Sequence, residues 1–149
     1  MGLDDLYQEI ILEHYKQPRN KGHIENPDIE LNGKNPFCGD EIKIFIKLKD
    51  NVVDQVAFEG SGCAISQASA SVMTEMIKGK TIEEAKKLID SFASMVKGEG
   101  CPVDLQELDD MAAFQGISEF PTRVKCALLA WKTLEQGIKK KTEKKDHSD

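Results

Sequence analysis

The chain has no apolar run long enough to cross a bilayer, and its first residues are polar where a secretion signal carries an apolar core. The expectation is a cytoplasmic protein without a membrane partner. Basic excess is also missing. Twenty Lys and Arg against 26 Asp and Glu leave a net charge of −6, which argues against nucleic acid as a partner, because phosphates demand clustered cations. There is no Cys-x-x-Cys pair, no phosphate-cradling glycine loop, no serine–histidine–acid arrangement, and no internal repeat. Cysteine is scarce at four residues, and reduced cytoplasmic thiols serve as ligands, nucleophiles or buried small residues more often than as disulfides.

What is present is an ordinary soluble composition, 40% hydrophobic and 31% charged over 149 residues, enough for one core without disulfide staples. Leu3, Leu6, Ile10 and Ile11 space an amphipathic helix over 3–16, ended by Pro18 and Gly22. Asn26-Pro27 and Asn32-Gly33 read as turns, with a short strand through Ile29 and Leu31. Ile42, Ile44, Ile46 and Leu48 alternate with polar neighbours, predicting a strand with one apolar face. Asp50-Asn51 is a two-residue hairpin turn, and Val52 to Glu59 is the returning strand.

Gly60-Ser61-Gly62 breaks that strand, and helical spacing runs from Cys63 through Met76 to a stop at Gly79. Thr81 and Glu84 form a capping-box pattern for a helix reaching about Val96. After a glycine-rich loop, Asp104 and Glu107 suggest a short helix using Leu105, Leu108 and Met111, ended by Gly116. A final helix from 118–121 carries Val124, Leu128, Trp131 and Ile138 on one stripe. Residues 1–139 thus form one domain of the α+β class, a small three-stranded antiparallel sheet with helices on one face. Residues 140–149 read as a charged, flexible tail.

Chemistry concentrates in Asn35-Pro36-Phe37-Cys38-Gly39-Asp40. Pro36 and Gly39 punctuate the chain there, and in an extended stretch a thiol and a carboxylate two residues apart face one point. Cys63 lies between a strand end and a helix start, where the helix dipole favours a thiolate; a small packing residue in a tight corner is an equally good account. Cys126, beside Lys125 and near Arg123, is open to the same two readings, with helix packing the more ordinary one. Cys101 has no thiol near it in sequence and reads as incidental. His14, His23 and His147 read as surface or partly buried structural residues. Three thiols and a carboxylate suit tetrahedral zinc, and iron–sulfur clusters are held by thiolates, but the wide cysteine spacing matches no compact zinc finger.

Three motifs in order, Asn-Pro-Phe-Cys-Gly-Asp (35–40), Gly-Ser-Gly-Cys-Ala-Ile-Ser (60–66) and Phe-Pro-Thr-Arg-Val-Lys-Cys-Ala-Leu-Leu-Ala-Trp (120–131), resemble the IscU/NifU-type iron–sulfur cluster assembly proteins. The resemblance implies a SufE/NifU-like fold and a ligand set of Cys38, Asp40, Cys63 and Cys126. Lys125 stands where the scaffold branch carries a histidine, Phe120 to Lys125 replaces that branch's chaperone-binding segment, and extra chain lies between 98 and 116. These departures resemble the SufU branch.

The resemblance therefore implies a zinc-dependent acceptor of persulfide sulfur from a cysteine desulfurase, with iron–sulfur apoproteins downstream. Cys38, on a loop where rotation about Gly39 lets the thiol swing outwards, is the expected sulfur carrier, and Cys126 is the rival that resemblance to the scaffold branch favours. One alternative is a scaffold building a labile [2Fe–2S] cluster on the same residues. The other is a structural zinc domain that binds a partner.

Overall fold

The computed structural model describes residues 3–35, 39–99 and 109–147. Three strands, β1 (Ile29–Asn35), β2 (Asp40–Lys49) and β3 (Val52–Ser61), form an antiparallel sheet in the order β1-β2-β3. Asp50 and Asn51 have φ of +53° and +67°, the left-handed pair that a tight β2–β3 hairpin requires. Ile42, Ile44 and Ile46 point into the core as the alternation predicts, and each is at most 1% exposed. Phe45, on the opposite face, is also buried. Lys43 Nζ sits 5.4 Å from its ring centroid and the His23 ring lies edge-on at 6.3 Å, so a cation and an imidazole shield it. The outer edge of β3 is covered by the chain at 20–22: Phe58 N–H donates to Asn20 O (3.0 Å) and Gly22 N–H donates to Phe58 O (2.8 Å).

Four α-helices are described: α1 (Leu3–Lys16), α2 (Ala64–Ile77), α3 (Ile82–Val96) and α4 (Pro121–His147), with a 3-10 segment over Asp109–Glu119. Helices α2 and α4 lie directly on the sheet, α2 on β3 and α4 on β1 and β2. Outside them, α1 packs on α2 and the 3-10 segment, and α3 packs on α4 and that same segment. The α+β reading with helices on one face of three strands is borne out.

Gly33 departs from its reading as part of a turn. It lies within β1, opposite Ile42, because a Cβ there would run into Thr133 Oγ1 of α4. Gly137 works in the same contact from the helix side, since its Cβ would stand 2.7 Å from Ile29 Cγ2. Two glycines, one on each element, let α4 settle close on the edge strand.

Gly116 does not end its element. The start of the helix predicted from Asp104, with Leu105 and Leu108, lies outside the described residues; from Asp109 the chain is a 3-10 segment that runs to Glu119. Helix α4 continues past Lys139 to His147.

Aromatic and polar contacts join the helices. Trp131 stacks on Phe92 (4.5 Å, 14°) and Phe114 meets Phe92 edge-on (5.5 Å). Trp131 Nε1–H donates to Ser69 Oγ (3.0 Å), and Ser69 donates to Ala127 O (2.6 Å), which ties α2 to α4.

His14 is only 1% exposed, more buried than its sequence context suggests. Its Nδ1 lies 2.8 Å from Ser71 Oγ and its Nε2 2.7 Å from Asp110 Oδ2. Serine, histidine and acid, absent as a sequence spacing, are thus assembled by the fold. Ser71 is wholly buried, so the trio is a lock between α1, α2 and the 3-10 segment and not a route to substrate.

The Thr81 capping box forms as predicted. Glu84 N–H donates to Thr81 Oγ1 and Thr81 N–H donates to Glu84 Oε1, both at 3.1 Å. The backbone hydrogen bond from Thr81 is the main reason the exposed Glu84 carboxyl titrates below its usual range. Thr81→Ala is expected to lower stability by about 1 kcal/mol, read as a reduced urea midpoint at unchanged slope. An unchanged midpoint would mean the cap adds nothing to the folded state.

Candidate metal centre

The site forms where the sheet ends and two helices begin. Asp40 opens β2, and the next residue, Glu41, pairs with Ser61 at the end of β3. Cys63 follows after Gly62 as the N-cap of α2, with φ −72° and ψ 164° and no capping hydrogen bond from its own side chain. Asp40 satisfies the cap residue's own N–H from across the turn. Its Oδ1 accepts the Cys63 backbone N–H at 2.8 Å, leaving Oδ2 3.8 Å from Cys63 Sγ.

The turn works only with glycine at two places. A Cβ on Gly60 would collide with the Glu41 carbonyl, and one on Gly62, whose φ is +144°, would strike the Asp40 carboxylate. Gly39, just before Asp40, also takes a left-handed conformation with φ +68°.

Cys126 arrives from the other side on α4 and is completely buried. Its thiol faces the Thr122 carbonyl one turn back at 3.6 Å, and the side-chain amide of Asn35 approaches its sulfur at 3.9 Å. One ligand-type atom from each of Asp40, Cys63 and Cys126 lies within 4.8 Å of the other two. The structure thus brings together three of the four residues singled out from sequence. Cys38 and Cys101 lie outside the described residues. Asn35 was read from sequence only as the residue ahead of a proline; the signal in hindsight is a hydrogen-bonding side chain directly flanking the cysteine motif.

The donors fit a metal. A tetrahedral zinc site with bonds of about 2.3 Å to sulfur and about 2.0–2.2 Å to oxygen holds its donors roughly 3.5–3.8 Å apart. The Asp40–Cys63 separation of 3.8 Å already agrees with that spacing. Asp40 is 1% exposed, and a carboxylate buried beside two sulfurs is costly unless a cation balances it. His14, Glu75 and Asp110 form a second cluster within the same mutual distance, 4.8 Å. There the histidine is hydrogen-bonded at both nitrogens and Arg19 Nε lies 3.5 Å from Glu75, so ion pairs and hydrogen bonds account for it.

Residues 6–127 match the family model for the NifU-like N-terminal domain. The chain belongs to that family. It is 48% identical to the zinc-dependent sulfurtransferase SufU of Bacillus subtilis over 139 residues, which is 93% of each chain. It is 42% identical to the iron–sulfur cluster assembly scaffold protein IscU of Thermotoga maritima over 91% of this chain and 94% of that one. Among solved structures, the nitrogen-fixing NifU-like protein (N-terminal) of Brucella abortus superimposes with a TM-score of 0.84 at 29% identity, covering 95% of this chain and 98% of the other. The resemblance drawn from the three sequence motifs is borne out, and the SufU relative agrees with the branch suggested by Lys125. Among the described residues no helix is long and apolar enough to cross a membrane.

Gly62→Ala is expected to displace the Asp40 carboxylate. The strained backbone should cost about 1–3 kcal/mol. Zinc stoichiometry after dialysis should fall along with the urea midpoint; a variant that retains a full zinc equivalent would show that Asp40 tolerates the methyl group.

Proposed function

We propose that this protein accepts sulfane sulfur from a cysteine desulfurase for iron–sulfur cluster assembly, at a metal centre of Cys38, Asp40, Cys63 and Cys126. The observation that carries the reading is the convergence of Asp40, Cys63 and Cys126 within 4.8 Å, from three separate elements, in a chain 48% identical to a zinc-dependent sulfurtransferase. Cys38 completes the set by connectivity. It precedes Asp40 by two residues, which keeps the two Cα atoms within about 7 Å.

Zinc, when bound, supplies the positive charge that keeps the surrounding sulfurs as thiolates. The rest falls to the chain. Cys38 is the acceptor: its thiolate attacks the outer sulfur of the desulfurase persulfide, a new S–S bond forms on Cys38, the old one breaks, and the desulfurase thiolate departs with the electron pair. No oxidant is consumed. Full burial of Cys126 and its place within α4 support Cys38 over Cys126, because the acceptor must reach into another protein. Gly39, with its left-handed φ and open space where a Cβ would stand, supports a turn able to present that thiol.

A docking face for the desulfurase adjoins the centre. An open groove of about 560 Å³ runs past Ile11, Leu12, Ile65, Ile117, Phe120 and Arg123. Leu12 and Phe120 are 47% and 56% exposed, and such apolar exposure beside a reactive site marks a protein contact. The cytoplasm, where thiols stay reduced, suits this chemistry.

Similarity to the IscU scaffold favours a second reading, in which the same four residues hold a labile [2Fe–2S] cluster for apoprotein acceptors. Metal analysis and the visible spectrum of protein purified without oxygen separate the two, since a cluster is coloured and zinc is not.

After incubation with desulfurase and cysteine, peptide mass spectrometry should find the added sulfur on Cys38 and should find none in Cys38→Ser. Sulfur on Cys126 in that variant at the parent rate would overturn the assignment of the acceptor. If a cluster is held, Asp40→Ala should slow its transfer to an apo-acceptor, because the carboxylate is the hardest donor and the easiest to release. Equal or faster transfer would count against that role.

A further inference from the structure

We propose that Asn35 is a positioning residue of the metal centre, whose side-chain amide donates an N–H to the sulfur of Cys126 and offsets charge gathered on the ligands. The inference rests on the metal-centre reading above.

Asn35 is 6% exposed, the last residue of β1, and the register partner of Asp40. Its backbone is thus aligned with one ligand while its side chain reaches another, with Nδ2 3.9 Å from the buried Cys126 Sγ. Asn35 is extended as the last residue of β1, in keeping with the restriction that a following proline places on its backbone. One residue therefore couples a ligand on the sheet to a ligand on α4.

The chemistry requires such a donor. The three thiolates and one carboxylate of the proposed set around a divalent cation would leave two surplus negative charges, and two of these residues, Asp40 and Cys126, are buried. Cys63 N–H already donates to Asp40, so the oxygen ligand has its own donor. The amide of Asn35 supplies the counterpart for a sulfur. An N–H directed at a metal-bound sulfur draws electron density from it, and such outer contacts both orient ligands and tune the metal they hold. A donor that is itself uncharged does this without competing with the cation, as a lysine or arginine in the same place would.

Cobalt(II) alone is the probe, because its sulfur-to-metal charge-transfer bands report the ligands that colourless zinc hides. Anaerobic titration of the parent, Asn35→Leu and Asn35→Asp should show those bands at longer wavelength in both variants. Cobalt affinity, followed by zinc competition, should fall about 10–100-fold. Fluorescence of the single, buried Trp131 checks that each variant is folded. A folded Asn35→Leu protein with parental bands and affinity would overturn the inference and leave Asn35 a packing residue. Should Asn35→Leu not fold, Asn35→Asp, equal in size, decides in the same way. A parent protein that binds no cobalt would overturn the metal centre itself, and this inference with it.

Discussion

One hydrogen bond, from the backbone N–H of Cys63 to Asp40 Oδ1 at 2.8 Å, joins the end of the sheet to the start of α2. A helix start leaves N–H groups without partners, and cysteine is a poor cap for them. The carboxylate of Asp40 gives the Cys63 N–H a strong acceptor, and the Cys63 sulfur, which makes no cap of its own, faces the second carboxylate oxygen at 3.8 Å. The same bond aligns the two residues of the candidate centre, so the helix start and the proposed metal site are one construction. Gly60 and Gly62 are its consequences, because any larger residue would intrude on Glu41 or on Asp40 itself.

The third described residue of the candidate centre, Cys126, depends on where α4 lies. That helix approaches β1 closely through Gly33 and Gly137, and Ser69 holds it against α2 by bonding both the Ala127 carbonyl and the Trp131 indole. Cys126, at the position before Ala127, is thereby placed by contacts that have no part in its chemistry. The His14 lock does similar work for the outer layer, holding α1 and the 3-10 segment against α2. The connection between β1 and β2, whose two ends Asn35 and Asp40 face each other in register, carries Cys38, the fourth residue of the proposed set.

An exposed apolar groove runs past Ala64 and Ile65 at the start of α2. Leu12 and Phe120, both exposed, line it, and the proposed docking of a partner protein would cover them.

Local patterns determined much by themselves. The alternation of Ile42, Ile44 and Ile46, the Asp50-Asn51 turn and the Thr81–Glu84 cap each depend on residues a few positions apart, and each formed as read. Gly33 misled because a glycine after asparagine has the chemistry of a turn; only α4, a hundred residues later, makes it a contact point in a strand. His14 looked unremarkable because Ser71 and Asp110 are far from it in the chain. For the site, the residue types and flanking motifs proposed Asp40, Cys63 and Cys126, but no periodicity relates positions so widely separated. Tertiary structure decided that they meet, by packing α2 and α4 on the sheet so that its end and two helix starts share one corner. It alone decided the place of Asn35, since a hydrogen bond from the end of a strand to a sulfur on the last helix has no local signature.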